Sequence, residues 1–364
     1  MIGRIKMLRI CLLCGLLLST FTLFSQIQQK NAIVKNVLGK PIDTDSLSYV
    51  VNMLMQKMNV PGLSMAIIND GKIVYHDEQG YADIGKKIKV SRNTIFEAAS
   101  LSKPLFAFFV MDYVERGLLN LDTPLYQYMP YADIAHDERY KKITARMVLS
   151  HTSGFPNWRK DYQNGELFIQ FDPGTSFLYS GEGYQYLAKV LMHLENTDDE
   201  GLESIYEERI AKPLQLKVTK FVQNEQNLSN KAKGYRSEKV VSLKETDVFG
   251  AAFSVHTTAS DYSKWLAALM ESKLLDEKSY QELFKTQVLL PEDSEQRTVG
   301  ISEWTLGFSK ANLPFGVGYG HGGNNSGYTC LFGIFPQTKW GFAVFTNANQ
   351  SDLPFTILQY LMTP

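Results

Sequence analysis

The stretch LSMAIINDGKIVYHDEQGYAD, residues 63–83, decides how this chain is read. Two β-rich runs flank Asn69-Asp70-Gly71. Asp-Gly between such runs is the strongest short-range hairpin signal, because both turn residues tolerate the positive φ a tight hairpin needs. Working outward, YTCLFGIFP (328–336) and WGFAVFTNAN (340–349) are rich in aromatic and branched residues. Separated by Gln337-Thr338-Lys339, they read as a second hairpin, of buried strands. Upstream of the first hairpin, SLSYVVNMLMQKM (46–58) places Leu47, Val50, Val51, Leu54, Met55 and Met58 at helical spacing, and Asn59-Val60-Pro61-Gly62 stops it. Between the hairpins the chain is mainly helical. LFAFFVMDYVERG (105–117) reads as a mostly buried helix with Gly117 as its stop. A short helix runs through Thr144 to Leu149, and Tyr184, Leu187, Val190, Leu191 and Leu194 form one face of another.

Strands at both ends with helices between predict an α+β fold. An antiparallel sheet from both chain ends is flanked by helices and carries an inserted, mainly helical domain. The expected sheet domain is discontinuous, 26–95 and 245–364, and the helical domain spans 96–244.

The 364 residues are 44% hydrophobic and 21% charged with a formal net charge of −1, an ordinary globular composition. Near-zero charge and the lack of a long basic run argue against nucleic-acid binding. The first 25 residues differ. Arg4, Lys6 and Arg9 precede Ile10 to Phe24, which contains no charge, and Ser25 follows. That pattern predicts a secretory signal and an exported protein, periplasmic or extracellular. The other reading is an uncleaved anchor, in which case membrane contact is through this segment alone. Cys11 and Cys14 leave with the signal, so Cys330 remains and no internal disulfide is expected.

The chemistry starts at EAASLSK (97–103), which puts Ser100 three residues before Lys103. On a helix these positions share a face. A serine hydroxyl is a poor nucleophile until a base takes its proton, and a lysine serves if its pKa is lowered. Taken alone, the pair also fits a polar helix start with a solvated lysine. Pro104 belongs in a first helical turn, so Ser100 is expected at or just before the helix start. There the N-terminal end favours an oxyanion. Further along come DPGTSFLYSGEGY (172–184) and the glycine-dense GHGGNNSGY (320–328).

With these in order, the chain resembles the serine β-lactamase and penicillin-binding-protein superfamily, in its class C branch with D-alanyl-D-alanine carboxypeptidases and related esterases. That family carries S-x-x-K, Y-x-N, and K-T-G or H-x-G. Here they read Ser100-Leu101-Ser102-Lys103, Tyr179-Ser180-Gly181 and His321-Gly322-Gly323, and the resemblance covers roughly residues 45 to 350. It implies Ser100 as acyl-accepting nucleophile, Lys103 as its helper, and Tyr179 as general base and then general acid. His321 stands for the usual lysine, hydrogen-bonding the substrate and titrating near neutrality. The N–H groups of Ser100 and Asn324, beside Gly323, form the expected oxyanion hole. Alone, Tyr179 also reads as a half-buried aromatic and His321 as a structural histidine. His151, in the S-H-T-S-G loop, reads as structural. Gly181 departs from the motif's asparagine, whose amide touches the substrate's acyl amide; Asn324 or Asn325 is the candidate replacement.

The resemblance implies an exported serine hydrolase acting through an acyl-enzyme on small esters, amides or D-amino-acid peptides, including cell-wall peptides, with no cofactor or metal. The alternatives are a β-lactamase proper and a non-catalytic penicillin- or peptidoglycan-binding protein.

Overall fold

The computed structural model describes residues 33–161, 165–241 and 247–363. The expected signal segment, 1–25, lies outside the described residues.

The opening hairpin forms as its sequence predicts. Strands β1 (Gly62–Asn69) and β2 (Lys72–Asp83) meet at Asp70 and Gly71, whose φ angles of 51° and 72° define the tight turn. With β3 (Ile88–Lys89), β4 (Val288–Leu289), β5 (Ile301–Trp304), β6 (Ser309–Leu313), β7 (Gly316–Asn325), β8 (Tyr328–Phe335) and β9 (Trp340–Thr346) they build one nine-stranded sheet. Its order is β3-β2-β1-β9-β8-β7-β6-β5-β4, antiparallel throughout. The first long strand lies beside the last, from Leu63 opposite Thr346 to Ile68 opposite Gly341.

Both faces of β1 are buried. Period-two alternation sends Leu63, Met65 and Ile67 to one side, against Leu47, Val51 and Met55 of α1 (Thr44–Lys57) and the C-terminal helix Leu353–Met362. Ala66 and Ile68 face the other side and join a larger core with Tyr262 and Trp265. Each large apolar side chain so buried contributes about 1.5–3 kcal/mol.

That larger core is centred on α2 (Ser102–Glu115), which is apolar around its circumference and almost wholly buried. Phe106 packs on Tyr184, Phe221 and Phe249, and Phe109 on Tyr206. The helix begins earlier than its apolar run suggests. Ser102 and Lys103 are buried too, and Gly117 ends the segment with φ +70°. α3 (Glu182–Glu195) supplies Tyr184, Leu187, Val190 and Leu191 to the same core. Cys330 is buried and unpaired in a disulfide.

Candidate active site

Ser100 sits in a 3₁₀ turn, Ala99–Leu101, immediately before α2. Ala99 has φ +48°, a backbone region that costs a non-glycine residue about 1–3 kcal/mol. The turn is held from several directions. Ala98 N–H donates to Val255 O at 2.7 Å. Ser102 Oγ donates to Ala99 O at 2.6 Å and accepts from Val255 N–H at 3.0 Å. Tyr262 donates to Leu101 O at 2.9 Å, and Cys330 Sγ to Ala98 O at 3.0 Å. The strained residue is the one beside the serine, and the core keeps it there.

One turn on, Lys103 is 1% exposed. Its Nζ donates to Ala252 O at 2.9 Å and reaches Ser100 Oγ at 3.4 Å. Burial, with no paired carboxylate among the described residues, pulls its pKa from 10.5 to about 7. The Tyr179 hydroxyl is close enough to Ser100 for the serine to bear on its ionisation, and Lys103 Nζ lies 4.5 Å from the Tyr179 ring centroid. Burial pushes the Tyr179 pKa up, so it is a neutral phenol at physiological pH. The serine, lysine and tyrosine, spread over 79 positions of sequence, thus meet at one point.

His151 orients Tyr179. Its ring centroid lies 4.4 Å from that of Tyr179, and its Nδ1 accepts from Ser180 N–H at 3.0 Å. The proton therefore sits on Nε2. Burial holds this histidine neutral, well below its usual pKa.

His321 projects from β7 towards Tyr179 and Trp304, at centroid distances of 5.9 and 5.5 Å. Its Nδ1 donates to Gly322 O at 2.6 Å, leaving Nε2 as a buried acceptor without a partner among the described residues. Burial, with the nearby Lys103, lowers its pKa to about 3. The expectation that His321 titrates near neutrality is thereby corrected: the imidazole is neutral, because water is excluded and the adjacent amine opposes a second charge.

Gly323 is required by space. A Cβ there would stand 2.6 Å from Cys330 Sγ and 2.7 Å from Ala98 O, so β7 and the Ser100 turn touch backbone to backbone. β6 pairs with β7 only as far as Gly320, whose carbonyl accepts from Ser309 Oγ at 2.7 Å. Strand alternation turns the Gly322 and Asn324 backbone groups to that same edge, beyond the end of β6. Neither asparagine side chain replaces the amide missing at Gly181. Asn324 leaves the strand on the opposite face from His321 and accepts from Thr329 Oγ1 at 2.9 Å. Asn325 Nδ2 is committed to Glu97 Oε2 at 2.6 Å and Phe253 O at 3.2 Å.

Glu97, three residues before Ser100, anchors this corner. Burial alone would raise its pKa, but the hydrogen bond from His256 and the charge of Lys231 outweigh burial and hold it at about 2. Lys231 Nζ stands 2.7 Å away. Glu97, Ala252, Trp304 and Trp158 carry no motif that marks them for this site. A backbone acceptor such as Ala252 O leaves no signal in residue type, and a tryptophan on a short strand reads as core.

The arrangement is a fold of penicillin-binding-protein type with a serine–lysine–tyrosine cluster, its lysine buried and its serine and tyrosine half-buried, at the start of its central helix. The sequence profile of the Beta-lactamase family matches residues 50–362, and the chain belongs to that family. "Protein flp" of Staphylococcus aureus strain MW2 is 24% identical over 337 residues, 85% of this chain. The match spans 64% of the length of that protein. "Beta-lactamase" of Escherichia coli K12 is 26% identical over 281 residues, 74% of this chain and 69% of that protein. The octameric penicillin-binding protein homologue from Pyrococcus abyssi superposes with a TM-score of 0.74 at 22% identity, covering 88% of this chain and 76% of its own, a likeness of fold.

Proposed function

We propose that the protein is an exported serine hydrolase that works through an acyl-enzyme on Ser100. Its substrates are small esters, amides or D-amino-acid peptides, cell-wall peptides included. The observation that carries this reading is Lys103 Nζ, buried with no paired carboxylate among the described residues and 3.4 Å from Ser100 Oγ. A lysine placed there for packing alone would carry a desolvation cost with no return.

In the first step Ser100 Oγ attacks the substrate's acyl carbon while neutral Lys103 takes the hydroxyl proton. The Oγ–C bond forms and the bond from acyl carbon to leaving group breaks. Tyr179, a neutral phenol against Ser100, delivers a proton to the leaving group and is reprotonated from Lys103. The backbone N–H groups of Ser100 and Asn324 stabilise the oxyanion, and losing one such donor typically costs about 10²–10³ in rate. Water then enters by the reverse proton path, releasing the acid and Ser100.

The test is intact mass after exposure to a serine-directed fluorophosphonate, with Ser100→Ala alongside. One adduct on the wild type and none on the variant is expected. A folded wild type that takes no adduct would overturn the reading in favour of a non-catalytic binder. Export rests on the basic start and uncharged run of residues 4–24, and N-terminal sequencing of protein recovered outside the cytoplasm tests it.

A further inference from the structure

Gly181 has φ −85° and ψ −36°, which any residue adopts, so its backbone does not require glycine. Its surroundings do. A Cβ at 181 would stand 2.6 Å from Cη2 of Trp158, with Cζ2 at 2.8 Å and Cζ3 at 2.9 Å. The indole of Trp158 therefore lies on the Gly181 backbone, in the volume that a side chain two residues after Tyr179 would fill. An amide side chain at 181 and the indole of Trp158 cannot occupy this space together.

Trp158 is built into this position. Asn157, before it, accepts from Gly181 N–H through Oδ1 at 3.1 Å and from Glu182 N–H through its carbonyl at 3.1 Å. Arg159, after it, binds Glu182 through Nε at 3.0 Å and Nη2 at 2.8 Å, and Asp133 through Nη1 at 2.7 Å. The loop is thus clamped to the start of α3 on both sides of the indole. The indole's other neighbour is Phe253, edge to face at a centroid distance of 5.5 Å and 83°. Phe253 directly follows Ala252, the acceptor of Lys103 Nζ, and its own carbonyl is held by Asn325 Nδ2. The two rings are tied to the cluster independently, one through Gly181 and one through Ala252. Both remain partly exposed.

We propose that Trp158 and Phe253 form the acyl-side wall of the site and select neutral carboxylic esters with an apolar, preferably aromatic, acyl group. This rests on the acyl-enzyme reading above and narrows its substrate class. An aromatic wall offers stacking and apolar contact where an asparagine would offer hydrogen bonds. A peptide or β-lactam presenting an acyl amide there leaves its polar groups unpaired, which a site penalises heavily. The third motif points the same way, since His321 is a neutral imidazole and offers no cation to a substrate carboxylate. For such an ester, Ser100 Oγ bonds to the acyl carbon, the carbon–oxygen bond to the alcohol breaks, and the alcohol leaves with the serine's proton. Water then releases the arylacetic or aliphatic acid.

The test compares kcat/KM for p-nitrophenyl phenylacetate, p-nitrophenyl acetate and acetyl-D-Ala-D-Ala on the full chain. Three variants accompany it: Trp158→Ala, Phe253→Ala, and Gly181→Ala, whose added methyl displaces the indole without deleting it. The wild type is expected to favour phenylacetyl over acetyl by about tenfold or more, the scale of one well-filled apolar subsite. The peptide is expected to trail both esters. Each variant that keeps a wild-type thermal melt brings the ester ratio to within about threefold of unity. An unchanged ratio in the folded variants, or faster turnover of the peptide, overturns the wall. The fluorophosphonate adduct separates the two levels. A wild type that labels at Ser100 yet shows no ratio change sinks this inference alone, while no labelling sinks the acyl-enzyme reading and this inference with it.

Discussion

Lys103 should set the pH dependence of acylation. Burial is the sole cause of its lowered pKa, and a fall from 10.5 to about 7 corresponds to about 5 kcal/mol against the ammonium form. The titratable groups facing it are Tyr179, Tyr184, His151 and His321. Burial raises both tyrosines and lowers both histidines, so none of the four changes charge between pH 6 and 8. Lys103 is the group in that set left to titrate. With a midpoint near 7, about one amine in ten is neutral at pH 6 and about nine in ten at pH 8, so acylation should rise roughly tenfold across that interval. The assay is the burst of p-nitrophenol from p-nitrophenyl acetate under single-turnover conditions from pH 5 to 9. Lys103→Arg, which keeps a permanent cation, should lose about 10²–10⁴ of the rate at pH 8. A flat profile, a midpoint still climbing near 10, or an arginine variant of wild-type speed would refute the reasoning.

Tyr179→Phe keeps the ring against His151 and loses the hydroxyl at Ser100; ester turnover should fall by about 10²–10⁴ with the melting temperature little changed, as steady-state kinetics and calorimetry would show. Gly323→Ala drives a methyl against Ala98 O and Cys330 Sγ, so urea unfolding should report a loss of about 1–3 kcal/mol, together with slower fluorophosphonate labelling of the adjacent Ser100. Glu203 is a buried acid whose pKa burial raises from 4.5 to about 7, although Val222 and Phe221 N–H groups donate to it. Its folded form prefers the proton, so its stabilising share is complete below about 4.5 and is lost as pH rises through about 7. That loss is on the order of 3 kcal/mol. Denaturation of Glu203→Gln at pH 5 and pH 8 should show that share of the pH dependence gone; an identical slope in wild type and variant would count against it.

Much of this fold and site is legible in the amino-acid sequence. Asp70-Gly71 announces its hairpin because few residue pairs accept positive φ twice, and the apolar density of 328–346 announces buried strands. Ser100, Lys103, Tyr179 and His321 are legible through the order of their motifs rather than through any one of them. What stays hidden is whatever burial and distant contacts decide. The charge state of His321 depends on water excluded by Tyr179 and Trp304. The meaning of Gly181 depends on Trp158, a residue 23 positions away with no periodic relation to it. The strands Val288–Leu289, Ile301–Trp304 and Ser309–Leu313 are short and only partly buried, so they leave no clean alternation. The lysine's acceptor, Ala252 O, belongs to the backbone, and every residue has one.

The pairing of β1 with β9 also governs how the molecule is made. Leu63 and Thr346 become neighbours only after a loop of about 280 residues has closed, among the longest contacts this chain can form. The segment from 96 to 270, with its dense local helical contacts, can collapse while the last strand is still being synthesised. β1, apolar on both faces, must wait for β9 to cover its open edge. Until then it is the exposed strand most apt to pair wrongly with another copy. The strand Trp340–Thr346 therefore works as a clasp, closing the sheet and covering β1 in one event.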